Sequence, residues 1–419
     1  MKRYNLKEEM AGRGRDRTPH IGIYGRRNYG KSSLINAIAG QDIAIVSDTP
    51  GTTTDPVKKS FEITGFGPVV LVDTAGIDDT GDLGSKRVHK TVHSIDTVDM
   101  AILLTGEDEW GDFEEEIVKR FNEQDIPFIV LSGKADINRP DEEFISKVKA
   151  ATGKIVAPFS VFDTVSREEL IRLIKESIPT RSSKLSTLLG DLIKQGDTVL
   201  LITPIDVEAP EGRLILPQVQ VIRDILDNDA VAVVLKEREV DAFLRNTGIR
   251  PALAVTDSQV FVKADASVPP EVPLTSFSIL LARQKGDFEN YLKGTPAISD
   301  LKDGDRILLL ESCTHHVACD DIGRVKIPRW ITGFTGRKLE FDVVAGLDVM
   351  PRPVTDYAIV IQCGGCMITA RQLQQRLRAA VKAGVPVTNY GMAIAYVQGI
   401  YHRAVAPFMK GGNQESTYL

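Results

Sequence analysis

The sequence predicts an α/β protein of several units, on three observations. Apolar strand-like runs alternate with helical stretches through residues 20–178, the alternation resumes near residue 198, and a glycine-rich segment separates the first strand from the first helix. Such alternation builds mostly parallel sheets covered by helices. At 419 residues the chain exceeds one compact core, and ordinary domain sizes suggest about two to four units.

In the first unit HIGIY, VVLVD, DMAILLTG, PFIVLSG and KIVAPFS read as strands, with SSLINAIAG and REELIRLIKESI as helices. PTRSSK at 179–184 is short and polar, a linker. A second unit runs to about residue 265, with strands TVLLITPI and AVAVVLK and helices VIRDILDN and VDAFLRNTG. The Pro-rich VPPEVP at 268–273 breaks the chain again. The last unit holds helical SFSILLARQKGDFENYL, strands DRILLLES and YAIVIQ, and helix ARQLQQRLRAAVKAG. The expected bounds are 1–180, with a flexible tail to about 18, then 185–265 and 268–419. There is no internal repeat.

Hydrophobic content of 42% and charged content of 26% suit a globular protein. The net charge is −6. Nucleic-acid binding rests largely on phosphate neutralisation by Lys and Arg, so the acidic balance argues against a nucleic-acid partner. No apolar run reaches the roughly 18–20 residues of a membrane span, so no membrane partner is expected. The N-terminal MKRYNLKEEMAGRGRDR lacks an apolar core, and Glu8 and Glu9 interrupt its basic charge. It reads as a tail rather than a signal peptide, and a cytoplasmic protein is expected. The four cysteines, Cys313, Cys319, Cys363 and Cys366, all lie in the last quarter of the chain. In a cytosolic protein such a group points to metal binding or catalysis rather than disulfides.

Gly25-Arg26-Arg27-Asn28-Tyr29-Gly30-Lys31-Ser32 matches the Walker A pattern between a strand and a helix. The glycines let backbone N–H groups wrap phosphates, Lys31 supplies a charge to the terminal phosphates, and Ser32 offers a hydroxyl to Mg²⁺. The helix N-terminus favours the anion, and Ser33 joins the candidate nucleotide contacts. Asp73-Thr74-Ala75-Gly76 ends VVLVD: Asp73 would hold Mg²⁺ through water, and the Gly76 N–H would sense the γ-phosphate. Between them, Pro50-Gly51-Thr52-Thr53-Thr54-Asp55 offers a Thr that closes on Mg²⁺ in a mobile loop, with Thr53 the candidate. Gly133-Lys134-Ala135-Asp136 is similar to the guanine-reading Asn-Lys-x-Asp. Asp136 would accept from guanine N1 and N2, a donor pair adenine lacks, and Lys134 would lie over the base. Gly133 replaces the Asn, so one base contact and one tie to the P-loop are expected to be missing. Ser160, ending VAPFS, fits the last base-contacting position. The fold class that follows is a P-loop GTPase domain with two smaller α/β domains behind it.

These residues resemble the translation-factor-like GTPases of the Era and TrmE kind. Ile77 stands where Ras-like proteins carry the water-orienting Gln. Asn28 occupies the position that, in potassium-activated members, helps coordinate K⁺ beside the phosphates, where the cation stabilises transition-state charge. Lys31, Asn28 and Thr53 are therefore the catalytic candidates.

Cys313-Thr314-His315-His316 follows DRILLLES, and Cys363-Gly364-Gly365-Cys366 follows YAIVIQ. Both groups sit at the C-terminal ends of apolar strands, the edge where open α/β sheets bind ligands. If the strands are parallel neighbours, the groups converge. Thr369 is the expected N-cap of the following helix, whose N-terminus favours thiolates. Spacing leaves three alternatives open: a Cys₃His zinc site with His315, an iron–sulfur cluster on three Cys with one iron left over, or no metal. Cys319 is either a fourth thiolate or, as is commoner for a single cysteine, buried and inert.

A GTPase of this kind followed by Cys-x-His, a long gap and Cys-x-x-Cys resembles the HydF family, which helps mature FeFe-hydrogenase. The resemblance covers nearly the full length, including Pro204-Ile205-Asp206 through Ala209-Pro210 and Gly212 through Gln218. It implies a GTPase domain, a dimerisation domain and a cluster-binding domain. It further implies GTP, Mg²⁺, K⁺ and a 4Fe-4S cluster as cofactors, the cluster thiolates mapping onto Cys313, Cys363 and Cys366. The implied role is scaffold or carrier of the di-iron precursor, with the hydrogenase apoprotein and radical-SAM maturases as partners and a homodimer or higher homo-oligomer as the assembly. The family usually has His before Cys-x-x-Cys; here Gln362 stands there. The fourth iron ligand is left to His315, Asp206 or a small molecule. The competing readings are an RNA-associated Era-type GTPase and a zinc-stabilised regulatory GTPase.

Overall fold

The computed structural model describes residues 18–39, 57–63, 67–74, 94–106, 109–178, 187–204, 214–312 and 321–409. The N-terminal tail, Thr53, Gly76, Ile77, Asp206, Cys313, His315 and Cys319 lie outside the described residues. The chain divides into two compact units, Met1–Ser182 and Ser183–Leu419.

The first unit runs β1 (His20–Tyr24), α1 (Lys31–Ala39), β2 (Val57–Ile63), β3 (Gly67–Asp73), β4 (Met100–Thr105), α2 (Asp112–Glu123), β5 (Phe128–Ser132), α3 (Glu142–Thr152), β6 (Val156–Pro158) and α4 (Thr164–Ser177). Its six-stranded sheet has the order β2-β3-β1-β4-β5-β6. Only β2 runs antiparallel to its neighbour. The central strands are apolar throughout because both faces are covered. Ile21, Ile23 and Ile102 pack on one face with Leu34 and Leu170. Tyr24, Leu103 and Val130 pack on the other with Phe121 and Phe144. Period-two alternation thus splits each strand between two cores. Asp141 caps α3 through Phe144 N at 2.7 Å, and Asp163 caps α4 through Val165 N and Ser166 N. Strand β2, VKKSFEI, has no counterpart in the sequence reading: it is a sheet edge, and lysines on an edge blunt the apolar signature.

The second unit carries two four-stranded sheets, all parallel. The first has the order β10-β9-β7-β8 and the second β12-β11-β13-β14. In chain order the elements are β7 (Thr198–Ile202), α5 (Leu216–Asp227), β8 (Val231–Leu235), α6 (Val240–Thr247), β9 (Leu253–Thr256), α7 (Phe261–Ser267), β10 (Leu274–Ser276), α8 (Phe277–Lys285) and α9 (Phe288–Gly294). There follow β11 (Arg306–Leu310), a π-helical turn at Ile322–Lys326, α10 (Ile327–Thr335), β12 (Glu340–Val344), β13 (Ile359–Gln362), α11 (Ala370–Lys382), β14 (Val387–Asn389), α12 (Tyr390–Val397) and α13 (Tyr401–Val405). One core joins the sheets, with Leu200, Ile202 and Phe261 packed into the same cluster as Leu308, Ile359 and Leu373.

The helical reading of SFSILLARQKGDFENYL needs correction: it is two helices. Asp287 caps the second through Asn290 N, and Gly286 sits where a Cβ would lie 2.8 Å from Ala282 O and 2.5 Å from Tyr291. Among the described residues no helix is long and apolar enough to cross a membrane.

Candidate nucleotide and cluster sites

The loop between β1 and α1 is shaped by two glycines and one asparagine. Gly25 has φ +150°, and a Cβ there would strike Leu104 O at 2.3 Å. Gly30 (φ +90°) and Asn28 (φ +63°) also hold left-handed backbone, which Asn tolerates better than most residues. Lys31 begins α1, is 8% exposed, and folds its ammonium over the loop, donating to Gly25 O at 2.9 Å and Arg26 O at 2.7 Å. That holds a cation against two loop carbonyls beside the N-terminus of α1, the end of a helix that favours anions. Ser32 and Ser33 follow in the first turn, half-buried, and Asn28 is exposed.

Asp73 ends β3 opposite Ile23 of β1 and is buried. The adjacent Thr74 hydroxyl donates to Ile23 O at 2.5 Å, fixing the strand end beside the loop. Segment 133–136 hangs from the ends of β5 and β6. Gly133 N donates to Thr105 O at 3.0 Å, and Ala135 N to Phe159 O at 3.1 Å. Lys134 takes φ +55° and, like Asp136, is exposed. Ser160 is buried, its Oγ accepting from Phe162 N at 3.2 Å. Asp73 thus ends a parallel strand, and Lys31, Lys134, Asp136 and Ser160 follow the C-terminal ends of others at the same sheet edge, where α/β folds bind ligands. A Cβ on Gly133 would lie only 3.0 Å from Tyr29 O. The missing Asn is therefore matched by a P-loop backbone drawn close to the glycine.

Arg26 clamps Glu114 of α2 with two 2.8 Å bonds, Nε to Oε1 and Nη2 to Oε2, and Glu114 is fully buried. Glu114 also accepts from Gly111 N at 3.0 Å. Its carboxylate pushes the Arg26 guanidinium further above its usual range. The Tyr29 hydroxyl donates to Glu109; burial, then the Glu109 charge, push the phenol well above its ordinary value. Gly106 leaves room for the Tyr29 ring, since a Cβ there would lie 2.6 Å from it. Glu114 lies far from the motif in sequence, and only its burial in the fold marks it.

In the second unit, β11 and β13 are parallel neighbours with Leu310 opposite Gln362. Cys363 follows β13 directly, and its N–H donates to Leu310 O at 2.9 Å. Ser312, the chain neighbour of Cys313, donates its N–H to Cys363 Sγ at 3.1 Å and sets its hydroxyl 2.9 Å away. Cys363 and Cys366 are half-buried thiols outside any disulfide. Gly365 between them holds φ +70°, with Leu373 filling the space of a Cβ. The buried Lys285 ammonium donates to Gly365 O at 2.7 Å and Ile368 O at 3.3 Å, bracing the loop. Thr369 caps α11, its Oγ1 accepting from Gln372 N at 3.2 Å, as its position predicts. The buried Tyr390 phenol is pushed well up by burial, then by Cys363. Two cysteines on one loop, the first with N–H and O–H groups of Ser312 against its sulfur, fit an iron–sulfur group held by cysteines. Among the described residues no three His, Cys, Asp or Glu side chains gather as a metal site; two of the three mapped thiolates belong to those residues. Lys285 and Ser312 carry no motif signature and were not legible in the sequence.

Three family models match the chain in succession. The 50S ribosome-binding GTPase family matches residues 20–134, the Hydrogen maturase F dimerization domain residues 188–286, and the Hydrogen maturase F tetramerization domain residues 289–407. Relatives include the tRNA modification GTPase MnmE of Chromobacterium violaceum, 38% identical over 120 residues, 28% of this chain and 26% of that protein. MnmE of Caldicellulosiruptor saccharolyticus is 32% identical over 176 residues, 41% of this chain and 36% of that protein. The chain thus spans about a quarter to a third of the length of these relatives. Among solved structures, a variant of Aquifex aeolicus Era bound to GDP·AlF4⁻ is similar at 20% identity and a TM-score of 0.36, covering 55% of this chain and 98% of that one. The loop, the strand-end Asp73 and the family match together define a P-loop GTPase domain at the head of the chain. Two Hydrogen maturase F domains follow it. The chain belongs to the HydF family of hydrogenase-maturation GTPases.

Proposed function

We propose that this chain is a GTP-hydrolysing scaffold or carrier that binds a 4Fe-4S cluster and delivers the di-iron precursor during FeFe-hydrogenase maturation. In this reading segment 1–180 turns over GTP, 185–265 mediates self-association and 268–419 holds the cluster. Lys31 and the backbone at Gly25, Gly30 and Ser33 hold the phosphates, and Ser32 and Thr53 bind Mg²⁺ with Asp73 behind a water. Gly76 senses the γ-phosphate, and Lys134, Asp136 and Ser160 read guanine. Asn28 helps hold K⁺, taking the place of a finger arginine, since Arg26 is committed to Glu114. Water attacks the γ-phosphorus and GDP leaves. The partners are the hydrogenase apoprotein and radical-SAM maturases, and the assembly is a homo-oligomer.

The observation that carries the cluster half is the convergence of β11 and β13, with Ser312 hydrogen-bonded to Cys363 at the edge they share. An iron–sulfur group would be held here by Cys363 and Cys366, and would supply an iron able to take a further ligand. Cys363 and Cys366 orient that group, and Lys285 keeps the loop between them in shape. Iron and sulfide analysis of anaerobically purified chain tests the reading. About four irons per chain support it; stoichiometric zinc without iron makes this a zinc-stabilised GTPase instead.

A further inference from the structure

Gln362 stands last in β13, is fully buried, and turns its amide nitrogen toward Cys363. Nε2 lies 3.5 Å from Cys363 Sγ, 3.2 Å from Cys363 O and 3.2 Å from Ser312 Oγ. The Cys363 carbonyl only accepts hydrogen bonds, so the group facing it is the NH₂ and not the oxygen. The Oε1 atom has no partner among the described residues. Leaving a buried carbonyl unsatisfied is unfavourable, and the arrangement keeps the donor half of the amide against the sulfur.

Ser312 adds two more groups to the same sulfur. Its N–H lies 3.1 Å from Sγ and its hydroxyl 2.9 Å away. A ligating cysteine is a thiolate and cannot donate, so in the loaded protein the Ser312 hydroxyl donates. The Ser312 N–H and hydroxyl then donate to one sulfur, and the Gln362 amide, with two hydrogens for three acceptors, shares an N–H between that sulfur and an oxygen 3.2 Å away. Hydrogen bonds to cluster sulfurs stabilise the reduced, more negative state and raise the potential.

The geometry points to Gln362 and Ser312 as positioning residues that tune the iron ligated by Cys363, Gln362 acting as a donor to the ligand sulfur and not as an iron ligand itself. The inference rests on the cluster reading above.

The test is redox titration of the full chain, anaerobically reconstituted, with iron counted in each sample. Gln362→Met keeps bulk and removes the donor; Ser312→Ala removes one hydroxyl, and Ser312→Thr restores it. The expected result is wild-type iron content throughout, a lower midpoint potential for Gln362→Met and Ser312→Ala, and a wild-type potential for Ser312→Thr. Iron-loaded variants with unchanged potentials overturn the inference and leave the cluster reading intact. Loss of iron from Gln362→Met alone makes Gln362 a ligand and also overturns it. A wild-type chain that takes up no iron overturns the cluster reading, and this inference falls with it.

Discussion

Arg26 of the P-loop and Glu114 of α2 form a two-point ion pair, both bonds 2.8 Å, with the carboxylate fully buried. Removing one partner of a buried pair leaves a charge without compensation, at a cost on the order of 3 kcal/mol. Arg26→Ala should lower the stability of the first unit by about that much, and Arg26→Lys by less, because Lys reaches only one carboxylate oxygen at a time. Denaturant unfolding followed on the full chain measures it. Equal midpoints for Arg26→Ala and wild type would mean that the clamp contributes nothing.

The α/β architecture, the P-loop and the strand ends that carry Cys363 were legible because parallel strands are continuous apolar runs and because Gly, Lys and Ser at fixed spacing have one economical physical use. The edge strand β2 was not: VKKSFEI carries two lysines and runs antiparallel. Glu114 and Lys285 were not legible either. Each reads in sequence as one more surface charge, and only folding places it among buried partners. Gly133 was legible as a departure from the Asn-Lys-x-Asp pattern, but not the closeness of Tyr29 O that accompanies it.

That closeness makes a prediction opposite to the motif's. Restoring Asn at 133 ought to strengthen nucleotide binding by motif logic alone. Here a Cβ at 133 presses on Tyr29 O at 3.0 Å, so Gly133→Ala should weaken GTP binding several-fold by shifting the P-loop. Titration calorimetry against a non-hydrolysable GTP analogue reads this; unchanged affinity means that the loop yields freely.

Asn28 allows a clean test of potassium. Its φ of +63° suits Asn and Gly, so Asn28→Gly removes the amide and keeps the backbone. Wild-type turnover of GTP should be faster in K⁺ than in Na⁺, and Asn28→Gly should erase the difference. Equal wild-type rates in the two salts sink the potassium role.

Strand β8 ends its sheet, with Val231 and Val234 50% and 40% exposed. An uncovered apolar edge invites pairing with another chain, and the strand falls within the matched dimerization domain. The double variant Val231→Lys, Val234→Lys should lower the mass seen by light scattering toward that of the monomer, with helix content unchanged. A mass equal to wild type places self-association elsewhere.

The most direct measurement of the whole account is iron content and visible absorption after anaerobic reconstitution of four single variants: Cys313→Ser, Cys363→Ser, Cys366→Ser and Cys319→Ser. GTP turnover is read in the same samples. The account predicts loss of the cluster in the first three, near-normal loading in Cys319→Ser, and GTP hydrolysis in all four, with Lys31→Ala as the inactive control. Retention of the cluster by Cys313→Ser together with its loss from Cys319→Ser would contradict the ligand set. Zinc at full occupancy with iron absent from every sample would contradict the hydrogenase-maturation role itself.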